Sequence, residues 1–435
     1  MSAASAKPVF GLWTLVALVV GNAVGAGIYT TSGYALADLG SREWVLLAWV
    51  VAGLIALCGA ASYSMLVRGI TESGGEYLYL SRSIHPIAGY VAGWISLLAG
   101  FPGAIAFAAT AFESYTVASI PFLQQLPNDV LAVVVTLLAG LVHIVRVRSG
   151  ARAHEWIVGF MLLVLVGLIV WAGWQLISAP FLADSTIQST PLASFSLFAF
   201  ANSLVWISLS YSGFNAAAYV AGEVDDAKRV VPLGMIYGTF ATLLLCVLVN
   251  AIMLYAAPAN ELVGRPDIAL VAARSLSGDI GVGTIQLVIA VSLLTSITAM
   301  VLAGPRVYAK MAEDGALPRL FRAKEGEPPR ASIMLQVATA LVLILIADLR
   351  DLLSYLGLTL SLCLALAVTS LFVRHFRLGE QPASKLYPIA PITFVLCTIG
   401  FAGLSAMHAP LQFVAAVPTI LAGVVAYYLT QRQTK

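Results

Sequence analysis

Charged residues are scarce in this chain of 435 residues, where Asp, Glu, Lys and Arg together make up 10%. Soluble domains carry about 25% charged residues. Because hydrophobic residues reach 60% of the chain, a soluble fold could not bury them all, and we expect an integral membrane protein. The net charge of +2 says nothing about nucleic acid, and because basic tracts are lacking we expect no nucleic acid as a partner.

Cysteine and histidine are also few, and neither forms a pattern that indicates a cofactor. The four cysteines lie in apolar runs without a Cys-x-x-Cys pair, so we expect free buried thiols. The five histidines show no metal-ligand spacing and fall near the ends of apolar runs, so we expect them at the membrane interface. Since no nucleophile–base pair or phosphate loop is recognisable, the sequence predicts neither an enzyme nor a bound cofactor. The histidines are His85, His143, His154, His375 and His408.

Long apolar runs are abundant. A membrane-spanning helix needs about 20 apolar residues. Twelve spans can be placed, at 10–32, 44–67, 87–112, 129–145, 156–177, 195–221, 232–256, 282–310, 332–347, 351–373, 388–407 and 411–429. With both termini in the cytoplasm, 19 of the 23 Lys and Arg residues lie on the cytoplasmic side and only four on the outer side. This asymmetry follows the positive-inside rule and favours a multi-pass protein of the plasma (inner) membrane with cytoplasmic termini.

Two of these spans are interrupted by glycine and hydroxyl residues. The first contains GNAVGAGIYTTSG at 21–33, and the sixth contains SLSYSGFNAAAYVAGE at 208–223. Glycine costs a helix interior about 1 kcal/mol relative to alanine, although the GxxxG spacing of Gly21 and Gly25 would also suit close helix packing. Matching interruptions five spans apart are typical of transporters built from inverted repeats, whose broken helices form the substrate site.

The two expected breaks offer complementary groups to a ligand. N–H groups at Ala26, Gly27 and Ile28 would start the second half-helix and could bind a carboxylate at the positive end of its dipole. Carbonyl groups near the second break could accept hydrogen bonds from an ammonium group. A carboxylate site that faces an ammonium site predicts an amino acid as substrate. The other residues of this predicted site are Val24, Gly25, Tyr211, Ser212 and Gly213.

Four motifs, in this order along the chain, resemble those of the amino acid–polyamine–organocation (APC) transporter superfamily. They are GNAVGAGIY at 21–29, ESGGEYLYL at 72–80, SGFNAAAYVAGEVDDAKRVVP at 212–232 and RVYAKMAEDGALP at 306–318. The resemblance implies an all-α integral membrane fold of 12 helices, with discontinuous helices 1 and 6 and secondary active transport by alternating access. It implies one domain over 1–435, with inverted repeats of five helices each at 10–177 and 195–373 and two further helices at 388–429.

The resemblance also implies gating residues. Phe214 falls where the family often places an aromatic gate, although a core-facing aromatic is an equal alternative. Glu72 and Glu76 are expected in a structured cytoplasmic turn. The charges from Glu223 to Arg229 are expected to cap the sixth helix, and Arg306 and Asp314 to pair with this cluster when the inward gate closes. A charge swap between Asp225 and Arg306 is the test of this pairing.

The coupling ion stays open between Na⁺ and H⁺, as do exchange without an ion and facilitated diffusion. Many family members carry a lysine in the fifth span, whereas this chain has Leu165 at about that point, which puts lysine-type proton coupling in doubt. Hydroxyls at Thr295 and Ser296, with carbonyls of Gly21 and Val24, could hold sodium. Alternatively, those hydroxyls bond back to their own helix.

The substrate is expected to be a neutral, small or apolar amino acid, because Glu113 is the only acidic candidate near the expected site. A polyamine or organic-cation carrier is one alternative, and an amino-acid sensor that transports nothing is another. The tails of about ten and six residues argue against a sensor, which usually carries a signalling domain. The oligomeric partner, the direction of transport and the particular amino acid stay open.

Overall fold

The computed structural model describes residues 10–145, 147–178, 195–324, 327–346, 349–382, 384–408 and 410–433. These residues form helices joined by turns and loops, with no strand among them and one isolated bridge between Phe10 and Val224. Within this part of the chain, the prediction of an all-α fold is confirmed.

The described helices follow one another as α1 (Leu12–Ala23), α2 (Ala26–Leu39), α3 (Arg42–Gly69), α4 (Gly75–Ser83), α5 (Pro86–Ile95), α6 (Phe101–Ser119), α7 (Val130–Val145), α8 (Val147–Ser178), α9 (Leu197–Ser210), α10 (Ala227–Tyr255), α11 (Ala259–Leu262), α12 (Ile268–Glu313), α13 (Arg330–Ile346), α14 (Leu349–Leu378), α15 (Ile389–His408) and α16 (Pro410–Gln433). A π-helical turn, Ser96–Gly100, joins α5 to α6, and a 3₁₀ segment, Ser212–Glu223, follows α9.

Seven helical segments are long and apolar enough to cross a membrane, and α1 with α2, bent by 40°, makes an eighth. Four shorter apolar helices coincide with the predicted spans at 129–145, 332–347, 388–407 and 411–429. Every predicted span overlaps a described helix, while the count of twelve crossings and the inverted repeat stay predictions. The first span is longer than expected, because α2 continues to Leu39.

The centre of the molecule is built around α1, the 3₁₀ segment and α12. Helix α1 packs against α10, α8, α12 and the 3₁₀ segment. Helix α12 is buried almost continuously from Ser292 to Ala309, and its N-terminal part is kinked at Gly278. The φ of +60° at Gly278 is one that glycine adopts readily. The interrupted helices therefore lie inside the bundle, where their polar backbone groups are shielded from lipid.

Candidate functional site

The first break lies at Val24 and Gly25. Helix α1 ends at Ala23, Val24 has φ −79° and ψ 81°, and α2 begins at Ala26. The first N–H groups of any α-helix have no partner inside the helix. Because the residue before α2 is Gly25, no side chain caps these groups. The N–H groups at the start of α2 are thus positioned for an anionic ligand.

The second break lies at Tyr211, between α9 and the 3₁₀ segment. The Tyr211 carbonyl accepts a hydrogen bond from the Phe214 N–H at 3.1 Å, and the Ser212 hydroxyl donates to the Leu209 carbonyl at 2.7 Å. The segment then runs for 12 residues, whereas 3₁₀ runs longer than three or four residues are uncommon. At the second break the chain therefore changes from an α-helix to a 3₁₀ helix.

The two breaks are in contact. A Cβ placed on Gly213 would lie 2.7 Å from the backbone nitrogen of Ala23 and 2.8 Å from the carbonyl carbon of Asn22. A Cβ on Gly27 would overlap the hydroxyl of Ser210, which is buried and has no hydrogen-bond partner in the described part of the chain. Only a residue without a side chain permits such close approach. The structure thus brings the predicted carboxylate and ammonium sites together.

A cavity of about 70 Å³ adjoins these breaks. Asn22 from α1 and Ser212 from the start of the 3₁₀ segment are among its lining residues, and α6, α12 and α14 contribute apolar walls. Its other polar lining residues are Glu76, Ser96, Asn215 and Tyr219.

Glu76 is a buried carboxylate in this lining, with an exposed fraction of 4%. It accepts hydrogen bonds from the Tyr63 hydroxyl at 2.6 Å, the Asn215 amide at 2.6 Å and the Tyr219 hydroxyl at 2.7 Å. The expectation of a cytoplasmic turn is wrong for Glu76, because the residue lies in α4 and its carboxylate is hydrogen-bonded to these donors inside the bundle. All five residues of the stretch EYLYL are buried. The four aromatic and leucine residues after Glu76 are the signal in the sequence that could have indicated this burial.

The side chains of Tyr211 and Phe214 point away from the cavity. The Tyr211 hydroxyl donates to the Trp49 carbonyl at 3.1 Å. The Phe214 ring packs between the rings of Tyr63 and Phe394, with centroid distances of 5.5 and 5.6 Å. This packing favours the core-facing alternative for Phe214, and the gating role stays a prediction.

Three of the four predicted ion-site residues lie together. The Ser296 hydroxyl is 3.0 Å from the Gly21 carbonyl oxygen and 3.3 Å from that of Val24. The Thr295 hydroxyl instead donates to the Ser292 carbonyl of its own helix at 2.6 Å. Among the described residues, no group of three or more His, Cys, Asp or Glu side chains could hold a metal ion.

A histidine of α8 lies beside the first break, a position that the sequence did not predict. The His154 ring is fully buried, with Nδ1 at 3.1 Å from the Thr298 hydroxyl and Nε2 at 3.3 Å from the Ala17 carbonyl oxygen. Its ring and Val158 fill the space beside Gly21, whereas Leu165 lies further along α8 among apolar side chains.

The interfacial expectation is wrong for His154 and also for His143. The exposed fraction of His143 is only 3%, and its Nδ1 is 2.9 Å from the Ala139 carbonyl oxygen of its own helix. Both ring nitrogens of His154 have partners from distant helices, whereas Nε2 of His143 is buried without a hydrogen-bond partner among the described residues.

Charged residues cluster at the end of the bundle that is expected to face the cytoplasm. Arg306 pairs with Glu223, with Nε at 2.5 Å from Oε1 and Nη2 at 3.1 Å from Oε2, and its guanidinium lies 5.4 Å from the centre of the Phe10 ring. The ion pair with Glu223 agrees with the expected pairing of Arg306 with the Glu223–Arg229 cluster. Asp225 is exposed here, and the gating role of Asp225 and Arg306 stays a prediction. Asp314 pairs with Lys310 of its own turn.

Two further carboxylates have local roles. Glu72 contacts Arg82 at 2.5 Å and Lys310 at 2.8 Å, and the Arg82 hydrogen bonds are the main cause that lowers the pKa of Glu72 to about 2. Glu113 accepts hydrogen bonds from the N–H groups of Asp129 and Ala132 and so caps α7. It does not line the cavity beside the breaks.

Comparisons with known proteins identify the family of the chain. Residues 10–429 match a family model described as amino acid permease. The chain is 25% identical over 431 residues to the serine/threonine exchanger of Bacillus subtilis (strain 168), covering 97% of this chain and 96% of the relative.

Mammalian relatives are similar at the same level. The chain is 26% identical to the human cystine/glutamate transporter, covering 95% of this chain and 83% of the relative. It is 24% identical to the large neutral amino acids transporter small subunit 2 of Oryctolagus cuniculus, with coverages of 97% and 80%. These relatives are transporters, which confirms the resemblance to the APC superfamily and the expectation that the chain is not an enzyme. The chain belongs to the amino acid permease family.

Proposed function

We propose that this protein is a secondary active transporter that carries small neutral amino acids, polar or apolar, across the plasma membrane by alternating access. The observation that carries the proposal is the contact of the two helix breaks beside a cavity, at Gly213 and at Gly27. The names of its relatives support an amino acid as the substrate, because each names an amino acid or a class of amino acids, but those named differ in size and charge.

The substrate carboxylate would bind the uncapped N–H groups of Ala26, Gly27 and Ile28. The α-ammonium group would donate to backbone carbonyl groups near Tyr211 and Ser212. Because both sets of groups belong to backbone freed by the breaks, this half of the site would recognise any α-amino acid, and selectivity would come from the side chains that line the cavity.

The architecture that goes with this function has twelve spans and cytoplasmic termini. Two inverted repeats at 10–177 and 195–373 would each contribute one broken helix, and the helices at 388–429 would lie outside the repeats. The ion pair between Arg306 and Glu223 links the 3₁₀ segment to α12. We propose that it breaks when the site opens to the cytoplasm.

The test is uptake of a labelled amino-acid mixture into proteoliposomes that contain the purified chain. Separate arms would impose a sodium gradient, a proton gradient, or internal amino acid without an ion gradient. Uptake above that of empty liposomes in any arm supports the proposal, and the responding arm identifies the coupling. The serine/threonine exchanger among the relatives makes the internal amino acid arm the first to run. Uptake equal to that of empty liposomes in every arm would overturn the proposal.

A further inference from the structure

The carboxylate of Glu76 has no cationic partner in the structure. None of the ion pairs in the described part of the chain includes Glu76, and its three hydrogen-bond partners are the neutral groups of Tyr63, Asn215 and Tyr219. Burial of a carboxylate is costly unless hydrogen bonds or a charge compensate it. A carboxylate held only by neutral donors at the edge of a cavity is therefore poised to accept a further donor.

The carboxylate also retains acceptor capacity. An ionised carboxylate offers about four lone-pair positions. Its Oε1 accepts from Tyr63 and Asn215, and its Oε2 accepts from Tyr219 alone. One position on Oε2 is thus left over, and Glu76 lines the cavity that the breaks adjoin.

The dimensions limit which ligand group can reach Glu76. Ser212 lies at the second break, and Asn215, which bonds Glu76, is three residues further along the 3₁₀ segment. Three residues of 3₁₀ helix rise about 6 Å. A ligand held at the breaks by its α-groups could span this distance with a short side chain and one hydrogen bond.

We infer that Glu76 is a specificity-determining residue that favours amino acids whose short side chain ends in a hydrogen-bond donor. This inference rests on the proposed function and deepens it, because it selects polar members from the small amino acids. An apolar side chain of the same size would leave the remaining acceptor position of the Glu76 Oε2 atom unfilled, and a site built for a hydrogen bond disfavours such an analogue. The donor is a hydroxyl or an ammonium group.

The experiment compares three ligands of nearly equal size: serine, 2-aminobutyrate and 2,3-diaminopropionate. Uptake into proteoliposomes and the ligand-induced rise in unfolding temperature of the purified protein are both measured. For the wild type, we expect serine or 2,3-diaminopropionate to show a half-saturation concentration at least about tenfold below that of 2-aminobutyrate. The ligand with the lower half-saturation concentration shows whether the site prefers a hydroxyl, as in serine, or an ammonium group, as in 2,3-diaminopropionate.

Two variants separate recognition from a structural role. Glu76→Gln retains size but loses charge, and we expect the preference to fall below about threefold while 2-aminobutyrate is still bound. Tyr63→Phe is the matched control, because it removes a donor to Glu76 from outside the cavity lining and leaves the carboxylate in place. We expect Tyr63→Phe to retain or increase the preference.

Three outcomes would overturn the inference: equal affinity of the wild type for all three ligands, an unchanged preference in Glu76→Gln, or a parallel loss for all ligands in both variants. Failure of the proposed function would look different. In that case no labelled ligand would accumulate, while the unfolding temperatures would still report whether the purified protein distinguishes serine from 2-aminobutyrate.

Discussion

The two helix breaks differ in how their backbone is supported. At the first break, two residues separate one α-helix from the next, and α2 resumes ordinary α-helical hydrogen bonding at Ala26. At the second, α9 passes into 12 residues of 3₁₀ helix. Because i→i+3 hydrogen bonds have poorer geometry than those of the α-helix, the second segment depends more on contacts from outside.

The polar contacts among them come from α4, its preceding loop and α12. Asn215 and Tyr219 bond to Glu76, and the Ser73 hydroxyl accepts from the Gly222 N–H at 3.0 Å. The segment ends at Glu223, which pairs with Arg306. The first break has the Ser296 hydroxyl and close backbone packing instead. Tertiary contacts therefore support the 3₁₀ conformation that follows the second break, whereas the first break relies more on local sequence.

A methyl group added at each break should give the largest difference in stability between the two breaks. Gly213→Ala would place Cβ against the backbone of Asn22 and Ala23, which cannot rotate away. We expect a loss of about 3 kcal/mol in the free energy of unfolding, at the upper end for overpacking, together with loss of uptake. Gly27→Ala meets only the Ser210 hydroxyl, so Ser210→Ala should restore its stability.

Thermal unfolding of the purified variants measures this difference. Gly159→Ala is the matched control, because no atom lies within 4 Å of its added Cβ, and it should leave stability unchanged or slightly raised. If Ser210→Ala rescued Gly213→Ala as well as Gly27→Ala, the backbone contact between the breaks would be wrong.

Removing the charge of Arg306 should weaken only the second break. Arg306→Gln loses two hydrogen bonds to Glu223, and we expect the free energy of unfolding to fall by about 2 kcal/mol. Exchanging the charges, with Arg306→Glu and Glu223→Arg, should recover part of that loss, but not the contact with the Phe10 ring. The same exchange with Asp225 in place of Glu223 is the control. Equal recovery in both exchanges would contradict the observed pairing.

Ser296→Ala should have the smallest effect, and it acts on the first break. The variant loses the hydroxyl that lies against the Gly21 and Val24 carbonyl groups, at a cost of about 1 kcal/mol. Since the single hydroxyl proton is shared between these two oxygens and occupies the position that an ion would take, we expect uptake to be equal in sodium and choline media for the wild type and for Ser296→Ala.

Thr295→Ala is the control for sodium, because its hydroxyl bonds to its own helix. Wild-type uptake that required sodium and was lost in Ser296→Ala would show that these carbonyl groups hold the ion.

The positions of both breaks could be predicted from the sequence because glycine and hydroxyl residues weaken a helix locally, wherever it packs. The interruptions at 21–33 and 208–223 contain the breaks that the structure places at Val24–Gly25 and Tyr211. The all-α fold followed from apolar run length in the same way. These features depend on residues that are neighbours in the chain.

The environments of Glu76 and His154 could not be predicted in that way. Glu76 is buried because Asn215 and Tyr219, 139 and 143 residues later, supply donors, and the Thr298 that contacts His154 is 144 residues away. A charged or titratable residue near the end of an apolar run is ordinarily interfacial. Only the packing of distant helices decides otherwise.

The contact of Gly213 with the Asn22–Ala23 backbone has a mechanical consequence. Where two helices meet through side chains, rotamer changes can absorb a small displacement of either one. At Gly213 the two backbones are in direct contact, without side chains between them. A displacement of one half-helix is therefore transmitted directly to the other. We therefore expect the two interruptions to move together, so that a ligand bound to either of them reduces the mobility of both.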